Sequence, residues 1–135
     1  LTTEPIDYEM LTAAVRLPSC GAVVTFLGTV RDLTAGQTTL ALHYDAYVPL
    51  AEKQLHAIAA EVRQRWPIGG LAIVHRLGRL AVSEISVGIA VSCPHRAEAF
   101  AACMFAMDRI KEVVPIWKQE HGPDGQTAWV HPGSV

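Results

Sequence analysis

The sequence predicts one α+β domain with three helices and a mixed, mainly antiparallel sheet. Three observations carry this. Strand-like segments come in hairpin-like pairs broken by single helices, which argues against a doubly wound parallel sheet. The length of 135 residues fits a single domain spanning 1–135. Half of the residues are hydrophobic and 18% are charged, the balance of a folded globular chain.

The elements follow in order. Asp7 to Leu17 reads as a short helix with Asp7 as its cap, Leu11, Ala14 and Val15 on one side, and Pro18 as its stop. Gly21 to Val30 (GAVVTFLGTV) is apolar on alternating and intervening positions alike, as in a strand covered on both faces. After a Thr-Ala-Gly-Gln turn, Thr39 to Tyr47 places Leu40, Leu42 and Tyr44 on one face, so the two segments are expected to form a long hairpin. From Pro49 to Trp66, Ala51, Leu55, Ile58, Ala59, Val62 and Trp66 recur at helical spacing opposite a charged side. Pro67 and Gly69-Gly70 close that helix, Leu71 to Leu77 begins a strand, and a Gly78-Arg79 turn follows.

Ile85, Val87, Ile89 and Val91 then alternate with Ser86, Gly88, Ala90 and Ser92, a strand with one bulky and one small face. The small face can accept a close neighbour. Ala97 to Val114 reads as a central helix ended by Pro115. Ile116-Trp117-Lys118 and Ala128-Trp129-Val130 read as short strands around a Gly122-Pro123-Asp124-Gly125 turn, with Trp117 and Trp129 assigned to core or interface packing.

Bulk properties remove several function classes. A net charge of −2 does not suit a general nucleic-acid binder, so any anion site has to be local. No apolar run approaches the ~20 residues needed to cross a bilayer, and no secretory pattern opens the chain, so a cytoplasmic location is expected. Three cysteines without C-x-x-C spacing suggest reduced thiols. No phosphate-binding, dinucleotide, zinc-protease or nucleophile-elbow motif occurs, and the six histidines show no ligand spacing, so no metal and no cofactor is expected.

Three constellations can carry chemistry. Ser92-Cys93-Pro94-His95-Arg96 sits at a strand end and helix start, where free N–H groups favour an anion and Arg96 can add a bidentate contact. Equally, His95 can serve as a cap with Arg96 in solvent. Lys111 projects into the helix stripe of Phe100, Met104 and Met107, where burial would ease its deprotonation; the alternative is a lysine that snorkels out or pairs with Asp108 or Glu112. Lys118, in an extended segment after Pro115, can return to the same helix end or stand on an exposed edge. Arg31 closes the first long strand, where an ion pair to Asp32 or Glu84 explains it almost as well as a functional role. His75-Arg76, at another strand end, reads as structural. Cys93 near His95 suggests a thiol–imidazole pair, against which a buried structural cysteine is the commoner outcome.

Four blocks in fixed order, GAVVTFLGTVRD, LHYDAYVPLAEKQL, IVHRLGRLAVSEISVGIAVSCPHRAEAFAAC and MDRIKEVVPIWKQE, resemble the molybdopterin synthase catalytic-subunit family from Gly21 to about Glu120. The SCPHRAEAF and KEVVPIWK segments are the discriminating ones. The resemblance implies an α/β-hammerhead-like fold and a sulfurtransferase. Its partner would be a small ubiquitin-like carrier with a C-terminal Gly-Gly thiocarboxylate, and its substrate cyclic pyranopterin monophosphate. It implies a homodimer that forms a heterotetramer with the carrier. Carried over residue by residue, Lys118 and Lys111 would be catalytic, with Lys118 nearest the thiocarboxylate as counter-charge and proton donor. Arg31, His95 and Arg96 would hold phosphate and pterin, and Phe26 would line the pocket. Family members can carry a longer tail with a further basic residue directed at a dimer mate, whereas here Val130 is followed only by His131-Pro132-Gly133-Ser134-Val135.

Overall fold

The computed structural model describes residues 1–34, 36–125 and 127–130; the tail from His131 to Val135 lies outside the described residues. Three helices, α1 (Tyr8–Val15), α2 (Val48–Arg65) and α3 (Arg96–Val113), stand among nine strands: β1 (Ala22–Thr29), β2 (Leu33–Thr34), β3 (Gln37–Thr38), β4 (Ala41–Ala46), β5 (Gly70–His75), β6 (Gly78–Ala81), β7 (Ile85–Cys93), β8 (Ile116–His121) and β9 (Thr127–Val130). Among the described residues every pairing between these strands is antiparallel, in a three-stranded sheet β1-β7-β5, a four-stranded sheet β6-β4-β8-β9 and the small β2-β3 ladder. The α+β class predicted from the sequence is the class observed.

Helix ends follow local chemistry. The Asp7 carboxylate accepts the Met10 N–H at 3.1 Å and so satisfies one of the donors that a helix start leaves open. Pro49 occupies the first turn of α2, where no N–H is needed, and Trp66-Pro67 ends it. α3 stops at Val114, before Pro115.

β7 sorts its two faces as its alternation requires. Ile89, Val91 and Cys93 enter the main core with Ala51, Leu55, Ile58 and Val62 of α2 and Ala99, Ala102, Cys103, Ala106 and Ile110 of α3. The small face receives α1: a Cβ on Gly88 would lie 2.8 Å from Leu11 Cδ2, so the glycine lets the Leu11 side chain come close to the strand. Thr12 of α1 also shares a 2.9 Å hydroxyl hydrogen bond with Thr25 of β1. Ala14, expected on the packed side of α1, is exposed.

Strand pairing departs from the sequence reading. β1 and β4 do not form a hairpin; β1 pairs with β7, sixty residues on, and β4 lies between β6 and β8. The connection folds on itself as β2-β3, and Leu42 leaves to meet Leu80 and Val30 in a second core cluster between the sheets. β1 is an edge strand of its sheet, yet helices meet both its faces, α1 where Thr12 bonds Thr25 and the α3 side where Ala22 and Val24 pack on the main core, as its apolar positions predicted; Val23 and Phe26 remain partly exposed. Gly78-Arg79 is not merely a turn: Gly78, at φ +94°, reverses the chain and opens β6, which the sequence reading missed.

α3 buries the opposite stripe to the one its large residues suggest. Alanines and Cys103 face the sheet and allow close approach, while Phe100 and Met104 are 62% and 70% exposed. Of the two packing roles expected for Trp129, core or interface, its exposure within the chain removes the core one.

Candidate functional site

The antiparallel course of β1, β7 and α3 decides which charged residues meet. β1 runs out to Arg31 beside the start of β7, and β7 runs back to Cys93 at the far end of the sheet. α3 returns along the sheet and delivers Lys111 to the Arg31 end, and β8 then carries Lys118 directly opposite Tyr44 of β4. Lys118 is half-buried there. Its ammonium is pushed below the ordinary lysine range, first by that burial, against the charge of Glu120, and further by the positive charges of Arg31 and Lys111. Arg31, Lys111 and Lys118 therefore form one electrostatically coupled cluster, drawn from three elements far apart in sequence.

None of the three cations is neutralised by an ion pair among the described residues. Glu84, the candidate partner of Arg31, is taken by Arg76, and Glu112, the candidate partner of Lys111, is taken by Arg109 at 2.7 Å. The expected burial of Lys111 does not hold: it lies on the solvent side of α3, because the stripe it shares with Phe100 and Met104 is the exposed one. What the cluster offers is a local positive field on a chain of net negative charge, with one amine partly removed from water. Such a field binds anions and stabilises negative charge that develops during reaction.

Tyr44 stands directly across from Lys118, and Glu120 lies two residues along on the same face. Burial raises the Tyr44 phenol above its usual value; its hydrogen bond with the Ser86 hydroxyl works against this, and the Glu120 charge adds to it. The Ser86 hydroxyl in turn donates to the Gly28 carbonyl at 3.2 Å. Glu120 Oε1 is buried and accepts no hydrogen bond among the described residues. Sequence reasoning missed Tyr44 and Glu120. Glu120 had a signal, since residues two apart on a strand share a face, whereas the placement of Tyr44 depends on long-range register.

His95 and Arg96 are not part of this cluster within the chain. They stand at the N-terminus of α3, fifteen residues from Lys111, or about 22 Å at 1.5 Å per residue. His95 occupies the N-cap position without a side-chain capping bond, and both residues are exposed. Phe26 lies between the two ends, alongside mid-helix Cys103, whose thiol meets the Phe26 backbone. Neither Cys93 of β7 nor Cys103 of α3 is suited to act as a nucleophile. Cys93 is buried, and burial raises its thiol; burial pushes Cys103 up to about 11. His75 is buried and neutral, donating Nδ1–H to the Arg76 carbonyl at 2.9 Å with its ring edge-on to Tyr44, a structural role as anticipated.

Among the described residues no group of three or more His, Cys, Asp or Glu side chains is placed to hold a metal ion, and no helix is long and apolar enough to cross a membrane.

Comparison with known proteins gives a consistent result. The profile of the family described as MoaE protein matches residues 1–113. A molybdopterin synthase catalytic subunit from Halalkalibacterium halodurans is 50% identical over 127 residues, covering 94% of this chain and 81% of the relative. One from Staphylococcus carnosus is 50% identical over 130 residues, covering 96% and 86%. The crystal structure of molybdopterin synthase from Staphylococcus aureus superposes with a TM-score of 0.90 at 45% identity, over 96% of this chain and 93% of that one. A complex of subunits 1 and 2 of the molybdopterin-converting factor from Helicobacter pylori shares the fold, with a TM-score of 0.70 at 19% identity over 94% and 80% of the chains. With a family profile spanning most of its length and half-identical relatives along nearly all of it, the chain belongs to the MoaE family, that of the molybdopterin synthase catalytic subunits.

Proposed function

We propose that this chain is the sulfur-transferring large subunit of a molybdopterin synthase. It takes sulfur from the thiocarboxylated C-terminus of a small ubiquitin-like carrier and places it on cyclic pyranopterin monophosphate, and a second charged carrier supplies the other dithiolene sulfur. The observation that carries the reading is the convergence of Arg31 and Lys111 on a half-buried Lys118. Both reactants are anionic, and opening a cyclic phosphate adds negative charge, so fixed cations with unoccupied N–H groups are the chemistry the reaction needs. Lys118 serves as counter-charge and proton donor to the thiocarboxylate end; Lys111 and Arg31 hold the phosphate side.

His95 and Arg96 enter the same site only from a second copy, because the length of α3 separates them from Lys111 in their own chain. The active unit is accordingly a homodimer, carrying one carrier subunit per chain, and Phe26 lies along the intervening wall. Three free cysteines suit a reducing cytoplasm, which is where this reading places the enzyme.

The test is to combine the purified chain, thiocarboxylated carrier and cyclic pterin, and to follow the dithiolene product by mass. Lys118→Ala should fold normally and lose about a hundredfold or more in rate, the usual range for removing a positioned proton donor. Undiminished product formation by that variant would refute the role given to Lys118.

A further inference from the structure

Glu120 lies two residues beyond Lys118 on β8, opposite Leu42, so both side chains share the face that also bears Tyr44. Leu42 on that face belongs to the cluster with Val30 and Leu80, which sets the Glu120 carboxylate against apolar material. One of its oxygens is buried without any donor among the described residues. An acceptor left in that state is costly to keep, and an apolar side chain would pack there at less expense.

Among the described residues, the charged and titratable groups facing Lys118 are Arg31 from the exit of β1, Lys111 from α3, Tyr44 from β4 and Glu120 from its own strand. Two are cations. Tyr44 is held neutral by burial, and Glu120 itself adds to that effect. Glu120 is therefore the one group in the set that opposes loss of the Lys118 proton. It does so without an ion pair to Lys118, for the salt bridges of the described residues lie elsewhere. A carboxylate in direct contact would occupy the ammonium hydrogens that a substrate has to use; one set a little way off biases the charge and leaves them open.

We propose that Glu120 is a positioning residue for Lys118, keeping its ammonium charged between Arg31 and Lys111 while leaving its N–H groups free for an anionic substrate. The proposal rests on the reading of Lys118 as the amine that meets the sulfur donor, but its physical core can be measured without turnover. The chain has only three lysines, Lys53, Lys111 and Lys118, so carbon-13 labelling of lysine gives three side-chain signals, and Lys118→Arg identifies the one to follow.

In the substrate-free full chain, Glu120→Gln should move the Lys118 titration midpoint to lower pH and leave that of Lys53 in place, while Glu120→Asp should return most of the shift. With carrier and pterin present, the alkaline limb of the Glu120→Gln rate profile should move the same way, with the wild-type rate recovered at lower pH. An unmoved Lys118 midpoint in Glu120→Gln, or a rate loss equal at every pH, would overturn the proposal in favour of a purely structural glutamate. Should Glu120→Gln fail to fold, Glu120→Met, which also removes the charge and suits the apolar side of Leu42, carries the same titration. Absence of product with wild-type protein would count against the enzymatic reading and leave the titration to decide this one.

Discussion

Acidification offers a test in which the size of the effect can be worked out beforehand. His75 is buried at the end of β5, and that burial, partly offset by its hydrogen bond to the Arg76 carbonyl, lowers its pKa from 6.5 to about 4. The unfolded chain therefore takes up a proton at this residue as pH falls below 6.5, whereas the folded chain refuses it until about pH 4. The group stabilises the fold fully above pH 6.5 and progressively less down to pH 4. At 1.36 kcal/mol per unit, the loss across this window is about 3 kcal/mol. Urea unfolding reads it directly: for a slope near 2 kcal/mol per molar, the midpoint should fall by about 1.5 M. Other groups respond to acid too, notably Glu84, whose carboxyl is held low by the Ala81 N–H and by Arg76. His75→Phe keeps a ring against Tyr44 and removes the titrating group; loss of the bond to the Arg76 carbonyl lowers stability alike at every pH, so the difference in slope between the two pH series isolates the His75 titration. Parallel series for wild type and His75→Phe between pH 7 and 4 would refute the assignment of this residue as a buried neutral imidazole.

Two further expectations concern packing and assembly. A methyl at Gly70 would lie 2.8 Å from the Val15 Cα and 3.0 Å from its carbonyl oxygen, both backbone, whereas one at Gly88 meets the movable end of Leu11; Gly70→Ala should cost about 2 kcal/mol and Gly88→Ala less than about 1 kcal/mol, and the reverse order in thermal melts would contradict the packing of α1. Mixing Lys118→Ala with Arg96→Ala chains, each inactive alone, should restore product formation if the two residues belong to one site from different copies, since the mixed dimer keeps one intact pair; no recovery in verified mixed dimers would exclude shared sites.

The residues outlined much of this architecture by local rules. Asp7 could be read as a cap, Pro67 and Pro115 as helix stops, and the alternation of β7 as one bulky and one small face, because each is settled within a turn or two of chain. The family blocks also singled out Arg31, Lys111 and Lys118, which the fold does bring together. Pairing was not legible. β1 looked ready to pair with the next strand in sequence, yet it took β7, because register and face complementarity between distant segments outweigh proximity along the chain. Nor could a stripe of large residues on α3 reveal that the helix would turn its alanines inward; that depends on the depth of the groove left by the sheet and α2. The site divides in the same way. Sequence supplied the cations, while the antiparallel return of α3 decided that His95 and Arg96 stand a helix length from the lysines, and the side-by-side register of β4 and β8 decided that Tyr44 and Glu120 stand next to them. Residue type sets what a side chain can do, and only the packing of remote elements sets which other side chains are near enough to change it.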